Sequence, residues 1–165
     1  MRQRLGSGTV VALMLVVGCS SDDVRADAPG ACSAAEGDRT VSLTVQSPPE
    51  DLLEWAGFED TAGLDVFEAD EECGRDIRVR VALRGDASAV DAAVTTAGFE
   101  GPPTKGMSVL QAPLDGVDLD GLTGVVSSAQ EAWENDAGEA MFRSYVRGAT
   151  GADGQEVLHI WAFTT

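Results

Sequence analysis

Apolar and polar residues alternate along several short stretches of this chain, the period expected of strands that bury one face. The clearest stretch runs from Asp76 to Arg84. Ile77, Val79, Val81 and Leu83 fall on one side of it, and Arg78, Arg80, Ala82 and Arg84 on the other. Thr40 to Gln46 repeats the pattern with Val41, Leu43 and Val45, and Leu64 to Phe67 reads as a shorter strand. Met141 to Gly148 alternates Phe142, Ser144 and Val146 against Arg143, Tyr145 and Arg147. The turn residues Gly151-Ala152-Asp153-Gly154 follow, then a run rich in β-branched and aromatic residues from Glu156 to Thr165. That arrangement predicts a hairpin.

Helical spacing is rarer. Leu52, Leu53, Trp55 and Phe58 suit a short helix or turn between Ser47-Pro48-Pro49 and Gly63. The clearest helix follows Gly85-Asp86. Ser88 is its expected cap, and Asp91 is a short stand-in for the acid of a capping box. Ala89, Val90, Ala93, Val94 and Ala97 give it a face of small apolar residues. Gly98 stands where a left-handed C-terminal cap belongs, with Phe99 placed to fold back on the last turn. Gly101-Pro102-Pro103 then opens an irregular stretch to about Gly121. Ser128 to Asn135 fits a second short helix, with Ser128-x-x-Glu131 as a capping box and Trp133 as its core residue; an extended segment fits nearly as well. The expected fold is α+β: a two-layer sandwich with a mainly antiparallel sheet of about four strands, one or two helices on one face, and solvent or loops on the other.

The beginning of the chain changes the picture of where this domain works. Met1-Arg2-Gln3-Arg4 carries two positive charges, and Leu5 to Gly18 is uncharged and largely apolar. This is the layout of a signal peptide, and the run is short of the roughly 20 apolar residues that span a bilayer. Val16-Val17-Gly18-Cys19 resembles the lipobox of bacterial lipoproteins, with Val where Leu is commoner at the first position. The resemblance covers the leader alone. It implies that residues 1–18 are removed, that Cys19 is lipidated, and that the protein is anchored in the cell membrane on its extracytoplasmic face. Each buried methylene contributes about 0.8 kcal/mol, so two or more acyl chains hold stably. Residues 19–39 are polar and small, a tether that cannot order itself, and residues 40–165 suit a single α+β domain. The end of that domain loosely resembles small lipoproteins of high-GC bacteria that finish in a similar hydrophobic strand, a likeness to which no activity attaches.

With Cys19 lipidated, Cys32 and Cys73 remain as an even pair, and oxidising surroundings make a Cys32–Cys73 disulfide the natural expectation. Closing a loop of about 42 residues would stabilise the fold by roughly 4 kcal/mol on the chain-entropy account. Charge is heavily acidic: 11 Lys and Arg against 28 Asp and Glu, net −17, and −19 once Arg2 and Arg4 leave with the leader. Such a surface repels anionic lipid and nucleic acid, so nucleic-acid binding is not expected.

No G-x-S-x-G, H-E-x-x-H, P-loop or C-x-x-C motif is present, and His159 is the one histidine. No metal and no cofactor is expected. Asp115-Gly116-Val117-Asp118-Leu119-Asp120-Gly121 half fits a calcium loop, but Gly116 and Ser127 fall where carboxylates are needed. It reads as solvated loop, as does Asp70-Glu71-Glu72. Five of the nine mature bases, Arg78, Arg80, Arg84, Arg143 and Arg147, fall at alternate positions on two strands, with Tyr145 beside them. If those strands share a sheet, its non-core face gathers arginines, joined by His159 and Trp161, as a recognition surface for an anionic or aromatic group. The plainer reading is cross-strand pairing with neighbouring acids. The expected function is therefore a membrane-tethered binding or interaction module of the cell envelope, with an envelope protein or a small ligand as partner. The alternatives are an extracytoplasmic hydrolase using paired carboxylates, or an accessory structural lipoprotein without a ligand.

Overall fold

The computed structural model describes residues 47–74, 76–107, 111–135, 138–150 and 154–164. The leader, Cys19, Cys32, the tether and the expected strand Thr40–Gln46 lie outside the described residues. Among the described residues two helices and six strands follow one another: α1 (Pro49–Trp55), β1 (Leu64–Cys73), β2 (Ile77–Asp86), α2 (Ala87–Thr96), β3 (Thr104–Lys105), β4 (Thr123–Glu134), β5 (Ala140–Ala149) and β6 (Gln155–Thr164). The strands form one sheet in the order β1-β2-β6-β5-β4-β3, with every neighbouring pair antiparallel. The α+β class stands, with six strands where about four were expected.

The additional strand residues have local causes. Asp70 and Glu72 extend β1 beyond the expected Leu64–Phe67 because each lies directly opposite an arginine, Asp70 against Arg80 and Glu72 against Arg78. Cross-strand ion pairs make an acid-rich edge strand tolerable, so Asp70-Glu71-Glu72 is strand and not loop. Ser128 to Asn135 is not helical: it belongs largely to β4, where Glu131 faces Arg143 and Trp133 faces Met141 across β5. The β5–β6 hairpin forms as expected, with Ala149 opposite Glu156.

Alternation then fixes two layers of packing, because successive side chains leave a strand on opposite faces. One face carries Val79, Val81, Leu83, Met141, Tyr145, Leu158, Ile160 and Ala162, packed against Leu52, Leu53, Trp55, Phe58, Val90, Ala93 and Ala97 from the two helices and their ends. On the other face Ala82, Val146, Val157 and Trp161 are covered by Leu114, Val117 and Leu119 from the irregular stretch. The sheet is thus buried on both sides, which is why six consecutive residues of the central strand β6, Val157 to Ala162, are all buried.

Helix ends are built by glycine and proline. Pro49 occupies the first turn of α1, where a missing N–H costs nothing. At its other end Gly57 has φ +77°, its N–H reaches Glu54 O, and the N–H of Phe58 reaches Leu53 O at 2.8 Å. Two such bonds around a left-handed glycine satisfy the last carbonyls of the helix. Helix α2 begins after Asp86, two residues earlier than a Ser88 cap would place it, with no side-chain cap bond. Its end follows expectation: Gly98 has φ +64°, and Phe99 packs back to within 4.9 Å of the Tyr145 ring.

Both helix ends converge on Arg143, which points into the helix-side core and is 2 % exposed. Its guanidinium lies between two aromatic rings, 4.4 Å from the Phe99 centroid and 4.3 Å from that of Trp133. Nη2 donates to Ala97 O at 2.8 Å, and Nε donates to Glu131 Oε1 at 2.7 Å. A Cβ added at Gly57 would come within 2.4 Å of Nη1, so this glycine is required by space as well as by backbone angle. Removing one member of a buried ion pair strands the other. Arg143→Ala is therefore expected to lower the unfolding free energy by about 3–5 kcal/mol in urea titration. Combining Arg143→Met with Glu131→Leu should recover most of that loss. A wild-type midpoint for Arg143→Ala would refute this account.

Candidate functional site

The arginines expected on one face are divided between two. Arg78, Arg80 and Arg84 on β2 share a face with His159 and Trp161 on β6, the face covered by the 111–122 stretch. Arg143, Tyr145 and Arg147 point the other way, toward the helices. The alternation of Met141 to Gly148 has the opposite sense to the expected one: Met141, Arg143 and Tyr145 are inward, and Phe142 is exposed. Arg147 joins Asp91 of α2 to Glu156 of β6 by ion pairs, the plainer role anticipated for these bases. Tyr145 is buried, and burial pushes its hydroxyl pKa up, offset in part by Arg147.

Of the three remaining arginines, Arg84 stands over the Phe67 ring at 5.4 Å. It lies six residues along β2 from Arg78, about 20 Å away at strand rise. Arg80 bonds closely to Asp70 and lies 3.6 Å from Glu72. Arg78 reaches Glu72 at 3.6 Å, and its side chain is 63 % exposed. Here the sheet and the covering stretch part to leave a half-open cleft of about 330 Å³, lined by Glu72, Arg78, Arg80, Gln111, Trp161 and Phe163 among others. Phe163 stacks on the exposed Phe142, ring centroids 5.7 Å apart, so an aromatic shelf continues from the mouth. Phe163, Phe142, Gln111 and Glu72 were not among the expected site residues. Phe163 shared the parity of Trp161 along β6, and that parity was the available signal.

His159 and Trp161 act as clamps for the covering stretch. The Leu114 N–H donates to His159 Nε2 at 3.0 Å, and Trp161 Nε1 donates to Ala112 O at 2.9 Å. With Nε2 an acceptor, the ring proton resides on Nδ1. The two rings stack at 3.9 Å. Burial, followed by the nearby Arg80 charge, holds the His159 pKa down at about 3. Such a histidine is a poor general base for a serine and a good neutral acceptor. The acidic stretch itself is solvated as expected: Val117 and Leu119 point inward, and Asp115, Asp118 and Asp120 outward. Asp118 Oδ1 accepts the Gly121 N–H at 3.0 Å. Among the described residues no group of three or more His, Cys, Asp or Glu is placed to hold a metal ion, and no helix is long and apolar enough to cross a membrane.

The chain shows no significant similarity to any protein family, curated protein or solved structure. The cleft must therefore be read from its own chemistry.

A depressed histidine pKa costs stability only where the unfolded chain takes a proton that the folded one refuses. Above pH 6.5 both states are neutral at His159; as pH falls from 6.5 toward 3, the unfolded state alone gains charge. Stability should decline across that window with a slope of up to about 1.4 kcal/mol per pH unit from this residue. His159→Gln, which keeps an acceptor for Leu114, should show a shallower decline between those limits in denaturant midpoints measured against pH. Parallel curves for the two proteins would remove the assignment.

Proposed function

We propose that this protein is a lipid-anchored extracytoplasmic binding module, tethered through an acylated Cys19 and recognising its partner at the Arg78–Phe163 cleft. The observation that carries the binding reading is the lining of that cleft. A well-exposed guanidinium stands beside two aromatic rings at a concave place on an acidic protein. Guanidinium and aromatic groups side by side suit recognition of a small molecule or a protein segment. The reading of a two-carboxylate hydrolase has less behind it, because Glu72 is the single acid among the described lining residues. The accessory role without a ligand accounts for the Arg78–Glu72 pair but not for the two aromatic rings beside it at a concave place.

The anchoring part rests on the leader and on Val16-Val17-Gly18-Cys19. A disulfide between Cys32 and Cys73 belongs to the same proposal: it would fasten the tether to the end of β1, where Cys73 lies. In the oxidising space outside the membrane such a bond persists.

Two experiments test the two parts. Cys19→Ser, in a chain whose leader is exchanged for one cleaved without lipidation, is expected to move the protein from the membrane to the soluble fraction, since the acyl chains that hold it are then missing. Continued sedimentation with membranes would overturn the anchoring. For the binding part, the native protein and an Arg78→Glu, Phe163→Ala double variant are immobilised and exposed to envelope extract. A component retained by the first and lost by the second supports the cleft; equal retention profiles dismiss it.

A further inference from the structure

We infer that the cleft takes a small monocarboxylate bearing an N–H donor and an apolar, preferably aromatic, body; this rests on the reading of the cleft as the binding site. The two arginines in the lining are not equivalent. Arg80 is committed to Asp70, its directly opposite neighbour, with Glu72 close by, and its side chain is 26 % exposed. Arg78 has a single ion pair among the described residues, the 3.6 Å approach of Glu72. Its donors are therefore open to a ligand oxygen pair, and a guanidinium matches a carboxylate in plane and spacing.

Register places the apolar half of the site. Arg78 lies between Glu72 on β1 and Phe163 on β6, and Phe142 follows Phe163 on β5. A molecule with its carboxylate at Arg78 therefore lays its body over Phe163 and Trp161, and the Phe142 shelf extends that surface. A third group asks for a partner. The Gln111 side-chain oxygen is buried and accepts no hydrogen bond among the described residues, although Gln111 lines the cleft. A buried acceptor left unpaired is costly, and a turn of the side chain toward the cleft, whose wall Gln111 already helps to form, would let an N–H from a bound molecule satisfy it.

Charge and size narrow the class. Glu72 on the rim and the Asp70 partner of Arg80 balance the two guanidiniums, and the chain carries net −17, so the site offers a directed guanidinium and no surplus of positive charge. A dianion such as a phosphate ester would meet about twice the repulsion that a monoanion meets. The volume of about 330 Å³ is near the lower end of small-ligand sites and suits a one-ring molecule.

The test uses the purified full chain in detergent micelles and four probes: N-acetylphenylalanine, its primary amide, 3-phenylpropanoate, which lacks the N–H, and phenyl phosphate. Binding is followed by amide chemical shifts and calorimetry. N-acetylphenylalanine should bind saturably with shifts centred on Arg78, Gln111, Trp161 and Phe163. The primary amide and phenyl phosphate should each bind at least about tenfold more weakly. Arg78→Gln, an exposed position that the fold does not depend on, should weaken the acid by about tenfold or more. Gln111→Leu should weaken N-acetylphenylalanine while leaving 3-phenylpropanoate nearly unchanged. No saturation by the acid at about 10 mM, an amide as tight as the acid, or an indifferent Arg78→Gln overturns the monocarboxylate class. If the amide binds as well as the acid and Phe163→Ala abolishes both, the cleft remains a binding site and the inferred ligand class alone is lost.

Discussion

The fold depends most on one buried cation. Arg143 lies where the C-terminal turns of both helices meet strands β4 and β5, and it satisfies groups that would otherwise be stranded: the Ala97 carbonyl at the end of α2 and the Glu131 carboxylate across the strand pair. A helix C-terminus carries partial negative charge, so a guanidinium there is favourable on electrostatic grounds as well as through hydrogen bonds. Glu131 in turn accepts the backbone N–H of Glu100, which fixes the chain leaving α2. Phe99 and Trp133 exclude water from both faces of the guanidinium. Burial raises what the ion pair is worth and raises equally what its absence would cost.

The opposite face is held differently. Among the described residues no helix covers it; the stretch after residue 111 does, through Leu114, Val117 and Leu119 and through the two hydrogen bonds that His159 and Trp161 make to its backbone. One face is therefore locked by a charge network and the other by a strap. The cleft opens at the end of that strap, where Gln111 begins the described part of it and Arg78 and Phe163 are near the ends of their strands. Trp161 belongs both to the clamp and to the cleft wall, so a ligand seated there touches the residue that holds Ala112.

The sequence made the framework readable where one physical rule dominated. Period-two alternation marked β2 and the β5–β6 hairpin, and Gly98 followed by Phe99 marked the end of α2. It failed where two rules competed. Ser128-x-x-Glu131 satisfies a helix-capping pattern, yet the pairing of Glu131 with Arg143 and of Trp133 with Met141 comes from a strand far along the chain. Along β5 both parities carry apolar residues, and polarity suggested that Arg143 faced outward; only its aromatic and carboxylate neighbours, distant in sequence, make an inward arginine tolerable. Tyr145 and Arg147 followed it to the wrong face for the same reason. Leu114, Val117 and Leu119 were visible as apolar residues in an acidic loop, but no local pattern says that a loop covers a sheet. Of the expected recognition group, Arg78, Arg80 and Trp161 meet at the cleft, and Arg84 and His159 share only their face.

Strand β6 follows every other described strand in the chain, yet it lies between β2 and β5 in the middle of the sheet. Until it arrives, β2 has no partner on that side and the meander of β3, β4 and β5 has nothing to join, so neither half can close a core. Assembly must await the tail of the domain, and contacts that bridge such separations make folding slow. For a polypeptide threaded through a membrane as an extended thread, this order of emergence is useful. If this chain is exported as proposed above, it stays slack through the passage and becomes compact only on the far side.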